Sequence, residues 1–342
     1  MRTAGLFLFL SIIAGTSAVA VRADPVADFY RGRQIEVLIG LTQGAAYDID
    51  ARLVARFMPK HIPGNPTMIP KQMTGAGSVR ATLFVASAAA RDGTVILAPH
   101  QGLPLQQALK DPTLKADMRD FHWIGTPVQE TNILFAWAAS GIASLDDAKK
   151  RDVTIGASGA TSASAQYPAI LNKIVGTRFK VIAGYQGGAE IDLAMERREV
   201  DARGSANWEA IRERPGWLAE KKINVLVQIG LSKPKDLPGP PMLTDLARNA
   251  EERAALHLLS APAAIGHPLL FGPGVPADRV AAIRKAFDET VKDPDFLREA
   301  ARLNREISPA SGIELQKLSD GIVNANAKVI AVLNDLIGDL GK

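Results

Sequence analysis

Four short polar segments that contain glycine or serine are best suited to hold a ligand. They span residues 42–48, 74–78, 158–162 and 185–188, and each is followed by a segment with helical apolar spacing. The first turn of a helix has free backbone N–H groups and a partial positive charge, which favour a carboxylate or another anion. Any one of these segments could be a simple turn, because Gly and Ser are ordinary turn residues. Four together favour anion binding.

The candidate ligand contacts lie in these segments and at a few positions nearby. Backbone N–H donors in the first three segments are the first choice for a carboxylate, with serine and threonine hydroxyls added. The candidates are Gln43, Gly44, Ala45, Ala46, Tyr47, Asp48, Gly75, Ala76, Gly77, Ser78, His100, Ser158, Gly159, Thr161, Ser162, Tyr185, Gly187, Arg203, Asn207 and Trp208.

Three of the candidate side chains each have an alternative role. Arg203 could hold a ligand carboxylate by two parallel hydrogen bonds, or it could be a surface or hinge charge. His100 could donate to an acid, or it could be a capping or surface histidine. Trp208 could line a cleft together with Asn207, or it could pack in the core.

Patterns that indicate catalysis are absent from the sequence. No two of the five histidines have metal-site spacing, and the chain has no cysteine for thiol chemistry or metal ligation. No HExxH, GxSxG or Walker A motif occurs. Gly75-Ala76-Gly77 lacks the third glycine of a dinucleotide fingerprint, and the pair Asp146-Asp147 is typical of a helix start. The sequence therefore predicts a binding protein without cofactor or metal.

The elements that would position these residues alternate between short apolar runs and amphipathic segments. Runs at 35–41 (IEVLIGL), 94–98, 153–157, 179–183 and 223–229 are typical of buried strands. Strands that alternate with helices indicate an α/β fold with mostly parallel sheets, whose ligands bind at the carboxyl ends of the strands. The four polar segments follow such ends, so we expect them to share one cleft.

The last part of the chain is predicted to be mainly helical. Val280, Ile283 and Phe287 share one helix face, and Asp293-Pro294 ends that helix. Ser311 and Glu314 form a capping box, which predicts one long last helix that reaches Ile337.

Length and composition indicate a folded protein of about two domains. The 342 residues are 47% apolar and 22% charged. The formal net charge is +4, and removal of Arg2 and Arg22 with a leader would leave +2. The charges are scattered among opposite ones, so nucleic-acid binding is not expected.

The N-terminus has the order of a secretory signal peptide. Arg2 precedes an apolar core at 6–13 (LFLFLSII), and Ala18-Val19-Ala20 matches a small-x-small cleavage site. The alternative, a permanent anchor helix, would need ~20 apolar residues, and this stretch is at the short limit. We therefore expect residues 1–23 to be cleaved and the mature protein to be periplasmic. No cysteine follows the core, which excludes lipid attachment there.

An ordered set of motifs runs across nearly all of the mature chain. The set comprises 24–33 (DPVADFYRGR), 43–48 (QGAAYD) with 51–53 (ARL), 75–77 (GAG), 92–94 (DGT), 184–188 (GYQGG) with 192–197 (DLAMER), and 272–280 (GPGVPADRV). Together these segments resemble the substrate-binding receptors of the tripartite tricarboxylate transporter family, also called the Bug family.

The resemblance implies a type II periplasmic-binding-protein fold with a cleft between two α/β domains. Residues 24–125 and 235–342 would form one discontinuous domain, and residues 126–234 the other. The implied function is capture of a small organic acid and its delivery to a membrane permease with one large and one small integral subunit. Such receptors are generally monomers. Asp48 would lie near the cleft and accept a hydrogen bond from the ligand.

The first loop departs from the family pattern. Three consecutive glycines are common there, but this chain has Gly44, Ala45 and Ala46, followed by Tyr47 where threonine is frequent. The two added Cβ atoms make a positive φ harder, so we expect the bound group to sit further out or to differ in shape.

The sequence is also compatible with two other functions. The protein could feed a sensor kinase with the same ligand chemistry, or it could be an exported enzyme on a similar scaffold. The ligand also stays open among di- and tricarboxylates, aromatic acids, amino acids and nicotinate-like acids.

Overall fold

The computed structural model describes residues 24–159 and 162–338. Two β-sheets organise these residues. The strands are β1 Gln34–Ile39, β2 Thr67–Gln72, β3 Val95–Ala98, β4 His122–Thr126, β5 Asn132–Trp137, β6 Val153–Ala157, β7 Phe179–Ala183, β8 Ala202–Asn207, β9 Ile223–Ile229, β10 Leu269–Phe271 and β11 Ala310–Ser311.

Helices flank both sheets. They are α1 Pro25–Tyr30, α2 Ala46–Phe57, α3 Val79–Ser87, α4 Leu103–Ala108, α5 Leu145–Lys150, α6 Ala163–Val175, α7 Gly188–Glu196, α8 Trp208–Arg212, α9 Ala250–Ile265, α10 Ala277–Thr290, α11 Pro294–Arg302, α12 Gly312–Val323 and α13 Ala327–Ile337. Short 3-10 turns are Met58–His61, Ala76–Ser78, Met118–Asp120, Ala138–Ser140 and Leu243–Leu246.

The first sheet has six strands in the order β11-β4-β10-β3-β1-β2. β1 is parallel to β2 and β3, whereas β10 is antiparallel to both β3 and β4, and β11 is antiparallel to β4. β1, β2, β3 and β4 therefore run in one direction. The sheet takes strands from both the early and the late parts of the chain.

The second sheet has five strands in the order β7-β6-β8-β5-β9. β6 is parallel to β7 and β8, and β5 is antiparallel to β8 and β9, so only β5 runs against the others. The predicted fold class, two mostly parallel sheets flanked by helices, is confirmed. The boundaries at 125/126 and 234/235 stay a prediction.

Apolar side chains fill both faces of each sheet. Val37 and Ile39 of β1 pack with Leu53 of α2 and Phe287 of α10 on one face of the first sheet. On the second sheet, Phe135 packs with Trp208 and Met195. Full burial of such a side chain stabilises the fold by about 1.5–3 kcal/mol. These faces hold the helices at fixed positions relative to the strand ends.

One glycine allows a helix to lie directly on the second sheet. A Cβ atom at Gly204 of β8 would stand 1.8 Å from the Ser164 carbonyl oxygen of α6. That separation is far inside van der Waals contact, so only glycine permits this approach. The start of α6 is thereby fixed beside the middle of β8.

The single long last helix predicted from the sequence is wrong. The structure has two helices there, α12 and α13, with a break at residues 324–326. The Asn326 side chain accepts a hydrogen bond from the Lys328 N–H at 2.8 Å and caps α13. Asparagine competes well for backbone groups at such a start, and this preference overrides the continuous apolar spacing.

The signal-peptide prediction concerns residues 1–23, which lie outside the described part of the chain. Among the described residues, no helix has the length and apolar character needed to cross a bilayer.

Candidate functional site

The predicted loops do lie at the carboxyl ends of strands. Residues 42–48 follow β1, residues 74–78 follow β2, and residues 158–159 and 162 follow β6. Residues 185–188 follow β7. Most of these positions are solvent-exposed. The chain passes from the first sheet to the second between β4 and β5. This crossing starts at the carboxyl-end edge of the first sheet and arrives at the carboxyl-end edge of the second. The loops of both sheets therefore lie at the two edges that the crossing connects.

The first loop is held by Asp48. Its carboxylate accepts hydrogen bonds from the Gly44 N–H at 2.8 Å, from Arg52 Nε at 2.8 Å and from Gln72 Nε2 at 2.5 Å. The residue is only 3% exposed. Its oxygens are thus engaged inside the protein, and the hydrogen bond to a ligand stays a prediction.

Only Gly44 needs a left-handed backbone in this loop. Its φ is +80°, whereas Ala45 has φ −75° and Ala46 begins α2. The expected difficulty with the two alanines therefore does not arise, because alanine takes these conformations without strain. Gln43, Gly44 and Ala45 are exposed, but the N–H groups of Gly44 and Ala45 donate to Asp48 and to the Thr42 carbonyl.

The second loop carries a run of unusual backbone. Gly75, Ala76, Gly77 and Ser78 have φ of 139°, 46°, 58° and 79°. A positive φ at two non-glycine residues costs of order 1–3 kcal/mol each, and such strain tends to accumulate at functional sites. Ser78 is fully buried, and its hydroxyl accepts a hydrogen bond from the His100 N–H at 2.9 Å. The strained loop is thereby tied to the end of β3.

Tyr47 lies between two imidazoles. Its ring centroid is 3.9 Å from that of His267 and 5.9 Å from that of His100. The Tyr47 hydroxyl is buried and makes no hydrogen bond of good geometry. Burial raises its pKa well above the ordinary value. Tyr47 therefore stays neutral, and its ring connects the first loop to His100 and His267.

His100 has one free ring nitrogen. Its Nδ1 accepts from the Gly102 N–H at 3.0 Å, which leaves the proton of the neutral ring on Nε2. The side chain reaches solvent, yet the protein that surrounds it desolvates the ring and lowers its pKa. His100 can therefore donate one hydrogen bond to an acid while it carries no charge.

A buried network of four charges lies beneath these loops. His267 contacts Asp50 through Nδ1 and Glu130 through Nε2, the second at 2.8 Å. Arg305 donates to both oxygens of Asp50 at 2.8 and 2.7 Å. Burial opposes the charge on His267, but the hydrogen bonds to Asp50 and Glu130 prevail and raise its pKa to about 9. Protonated His267 therefore donates from both ring nitrogens.

Glu130 connects this network to the second sheet. It lies in the crossing between β4 and β5 and accepts from Gln101 Nε2 at 3.0 Å. Burial would raise its pKa, but the contact with His267 lowers it overall. The neighbouring Thr131 carbonyl accepts from the Trp208 N–H at 2.8 Å. The crossing is thus fixed to both sheets.

The loop after β6 is organised by Ser164. Its hydroxyl accepts from the Ser158 N–H at 3.1 Å and lies 2.7 Å from the Ser162 hydroxyl. Ser162 also donates to the Gly159 carbonyl at 2.7 Å. Ser158, Gly159 and Ser162 are therefore brought together. Thr161, the remaining candidate of this loop, lies outside the described residues.

Arg203 already has an acidic partner within the protein. It donates to Asp192 at 2.7 Å and to the Ser205 carbonyl at 2.9 Å, and its side chain is 15% exposed. Its guanidinium lies against the Gly188 backbone at the start of α7, beside Gly187. The side chain supports the Tyr185–Gly187 turn, and its contact with a ligand stays a prediction.

Asn207 and Trp208 have structural partners at the start of α8. The Asn207 side chain accepts from the Ala210 N–H at 3.1 Å and caps the helix. Trp208 is 3% exposed, packs in the core and donates through Nε1 to Asp236 at 3.1 Å. The core role considered for Trp208 is therefore present, and the residue also belongs to the wall of a cavity beside the crossing.

The four helices that begin at the loops share one property. No side chain caps α2, α3, α6 or α7, whose N-cap residues are Ala45, Ser78, Ser162 and Gly187. Elsewhere most helix starts are capped, for example by Asp24, Ser144, Asn249, Asp293, Ser311 and Asn326. α4 and α10 are the other uncapped helices of the described chain. No capping side chain therefore occupies the N–H groups of these four helix starts, although the N–H groups of Gly44, Ala45, Ser78 and Arg80 are hydrogen-bonded within their loops.

Sequence reasoning missed the residues that support the loops. Asp50, Gln101, Glu130, Ser164, His267 and Arg305 were not candidates, although His267 stood among the five histidines. They come from positions up to 255 residues apart, so no local spacing marks them. Only the fold brings them together.

A second cavity, of about 490 Å³, lies between α9, α12 and α13. Its walls are mostly apolar, and none of the candidate ligand residues contributes to it. Among the described residues, no group of three His, Asp or Glu side chains could hold a metal ion.

Comparisons with known proteins place the fold. No family model and no curated protein matches the sequence. A solved TctC solute-binding protein from Polaromonas is 19% identical, with a TM-score of 0.66 over 90% of this chain and 99% of that one. The periplasmic binding protein BugD is 19% identical, with a TM-score of 0.61 over 90% and 98%. MatC from Rhodopseudomonas palustris with bound malate is 18% identical, with a TM-score of 0.59 over 90% and 99%.

The chain has the fold of the TctC and Bug periplasmic binding proteins. The resemblance inferred from scattered motifs is thus confirmed in the fold, over nine-tenths of the chain. These neighbours are described as solute-binding or periplasmic binding proteins.

Proposed function

We propose that this protein is a periplasmic receptor that captures a small organic carboxylate between its two sheets. The observation that carries the proposal is the set of four uncapped helix starts at the carboxyl ends of strands from both sheets. Their N–H groups and helix dipoles favour a carboxylate without the burial of a free cation.

The ligand contacts that we propose are mainly backbone groups. Residues 43–47 and 75–77 would act from the first sheet, and residues 158, 159, 161 and 162 from the second. Tyr185 and Gly187 would add the start of α7. His100 would add one neutral N–H donor, because its Nδ1 is occupied by Gly102.

The neighbours support the choice of ligand class. MatC is described with malate, a small dicarboxylate. Asp48 does not oppose an acid here, because its carboxylate is neutralised by Arg52 and engaged by the Gly44 N–H.

Delivery to a membrane transporter completes the proposal. Residues 1–23 would direct export and be removed, and the mature monomer would present its ligand to permease subunits of the tripartite tricarboxylate type. Binding would favour a closed form through contacts from both sheets. The acid would be released unchanged, since the protein would not act as an enzyme.

The experiment is a binding screen on residues 24–342. Thermal shift against a panel of organic acids identifies binders, because a ligand at a hundredfold excess over Kd stabilises by about 2.7 kcal/mol. Calorimetric titration then gives the affinity, and chromatography of the released ligand tests for conversion.

Binding of one acid class, with the acid recovered intact, is the expected result. A converted product would contradict the receptor function. Failure of every acid to bind would contradict carboxylate capture. Gly75→Ala, which adds a Cβ where φ is 139°, should weaken binding, whereas Gly321→Ala in α12 should not.

A further inference from the structure

A cavity of about 400 Å³ opens beside the crossing between the sheets. Glu130 and Thr131 of the crossing, and Trp208 and Glu209 at the start of α8, form part of its wall. None of the candidate residues except Trp208 belongs to it. Its size suits a small organic group.

Glu209 is the unusual residue of this wall. Its Oε2 atom is buried and has no hydrogen-bond partner within the described part of the chain. A buried carboxylate oxygen without a partner is costly, so a group that donates to it would be stabilised there. Desolvation, with a smaller contribution from Glu130, raises the pKa of Glu209 to about 7.

The other charges around the cavity do not satisfy Glu209. Arg212 lines the same cavity, but it pairs with Asp236 at 3.0 Å and with Glu306 at 2.5 Å. Lys233 and Lys235 are exposed at the rim. Glu130 is ionised, because His267 and Gln101 both donate to it. Four acidic side chains (Glu130, Glu209, Asp236 and Glu306) therefore face three basic ones (Arg212, Lys233 and Lys235). Arg212 is already paired with Asp236 and Glu306.

Trp208 contributes to the cavity wall, although the residue is only 3% exposed. Its indole is held in place by the hydrogen bond from Nε1 to Asp236. The face of an indole attracts an organic cation, more strongly where water is excluded. The Glu209 carboxylate and the Trp208 indole thus both favour an organic cation.

We propose that this cavity binds the ammonium group of a zwitterionic ligand, with Glu209 as its acceptor. This inference rests on the proposed function: the ligand carboxylate would bind at the helix starts, and the ammonium would bind Glu209 and lie near Trp208. The captured acids would then be amino acids rather than simple dicarboxylates. Glu209 would be the residue that selects amino acids over dicarboxylates.

A protonated Glu209 that donates to a ligand carboxylate is the competing arrangement. It would bring another anion next to Glu130 and Glu306, which Coulomb repulsion opposes. The two arrangements also differ in proton balance. An ammonium ion ionises Glu209 and releases about half a proton at pH 7, whereas a carboxylate would cause proton uptake.

The test uses pairs of acids that differ only in the amino group. They are L-aspartate with succinate, L-glutamate with glutarate, and L-phenylalanine with 3-phenylpropionate. Residues 24–342 are titrated calorimetrically at pH 7 in two buffers of different ionisation enthalpy, which measures proton release. We expect at least one amino acid to bind tenfold or more tightly than its partner, with release of about half a proton.

Glu209→Gln should reduce that affinity ratio at least fivefold and abolish the proton release. Glu213→Gln, which removes an exposed carboxylate one turn further along, should keep both. Cooperative melting of each variant checks folding, and the proton release of the unmodified protein tests the proposal even if Glu209→Gln fails to fold.

Equal or tighter binding of the acids without an amino group, or proton uptake, would overturn this inference and leave carboxylate capture intact. Failure of these pairs and of the whole acid panel would overturn the proposed function itself, and this inference with it.

Discussion

The Tyr47 ring packs against the His267 imidazole in a tilted arrangement, with 3.9 Å between the ring centroids and 38° between the ring planes. Tyr47 belongs to the first loop, and His267 to the buried charge network that includes Glu130 of the crossing. The contact therefore links the proposed carboxylate site to the segment that joins the two sheets.

Removal of the His267 cation should strongly destabilise the protein. In His267→Ala, Glu130 and Asp50 lose their shared donor, and no other cation of the described residues forms an ion pair with Glu130. Loss of one partner from a buried ion pair costs about 3–5 kcal/mol. Urea unfolding of both proteins at pH 7 measures the change. His257→Ala, at an exposed position of α9, should change stability by less than about 0.5 kcal/mol. Equal effects of the two substitutions would show that the network does not support the fold.

The stability of the protein should fall at alkaline pH. The folded pKa of His267 is about 9, above its ordinary value of 6.5. The stabilisation is complete below pH 6.5, where both states hold the proton. It decreases as the pH rises and is gone above about 9, a loss of about 3 kcal/mol. Urea unfolding between pH 6 and 10 checks this. A flat profile over that range would mean that His267 is not held as a cation.

His100 should contribute a neutral hydrogen bond to the acid. His100→Phe removes the Nε2 donor and should weaken acid binding about tenfold, since hydrogen bonds to charged groups contribute about 1.5–3 kcal/mol. His100→Gln retains a donor and should recover most of the affinity. Because desolvation keeps its pKa low, affinity should not rise between pH 8 and pH 6.5. Calorimetric titration of the unmodified protein and the two variants measures these affinities. An unchanged affinity in His100→Phe would exclude the hydrogen bond from His100 to the acid.

The first loop should tolerate changes at Ala45 but not at Gly44. Gly44→Ala places a Cβ at φ +80° and should cost about 1–2 kcal/mol. Ala45→Gly, at φ −75°, should cost only about 0.4–1 kcal/mol through the entropy of the unfolded chain. Thermal melting of both variants shows which substitution destabilises the protein more. A larger loss in Ala45→Gly would mean that the loop has another conformation.

Buried strands could be predicted because their residues are apolar throughout. The run at 35–41 and the run at 153–157 correspond to β1 and β6, with differences of at most two residues at either end. β8 was harder: its sequence Ala-Arg-Gly-Ser-Ala-Asn lacks large apolar residues, since Gly204 is needed for the approach of α6. β10 has only three residues, too few for a periodic signal.

The loops could be predicted, but the side chains that support them could not. Strand–helix alternation places residues 42–48 and 158–162 at strand ends without any knowledge of tertiary contacts. Asp50 and His267 are 217 residues apart, and their contact exists only after the sheets have formed. Glu209 gives no signal either, because its importance depends on an oxygen atom that the fold leaves unpaired.

The central claim is that one carboxylate is held by backbone groups of both sheets. A crystal structure of residues 24–342 with the tightest-binding acid tests it most directly. We predict carboxylate oxygens within hydrogen-bond distance of N–H groups from residues 43–47 or 75–78 and, at the same time, from residues 158–162 or 185–188. A carboxylate that contacts loops of one sheet only, or that lies in the apolar cavity between α9, α12 and α13, would contradict it.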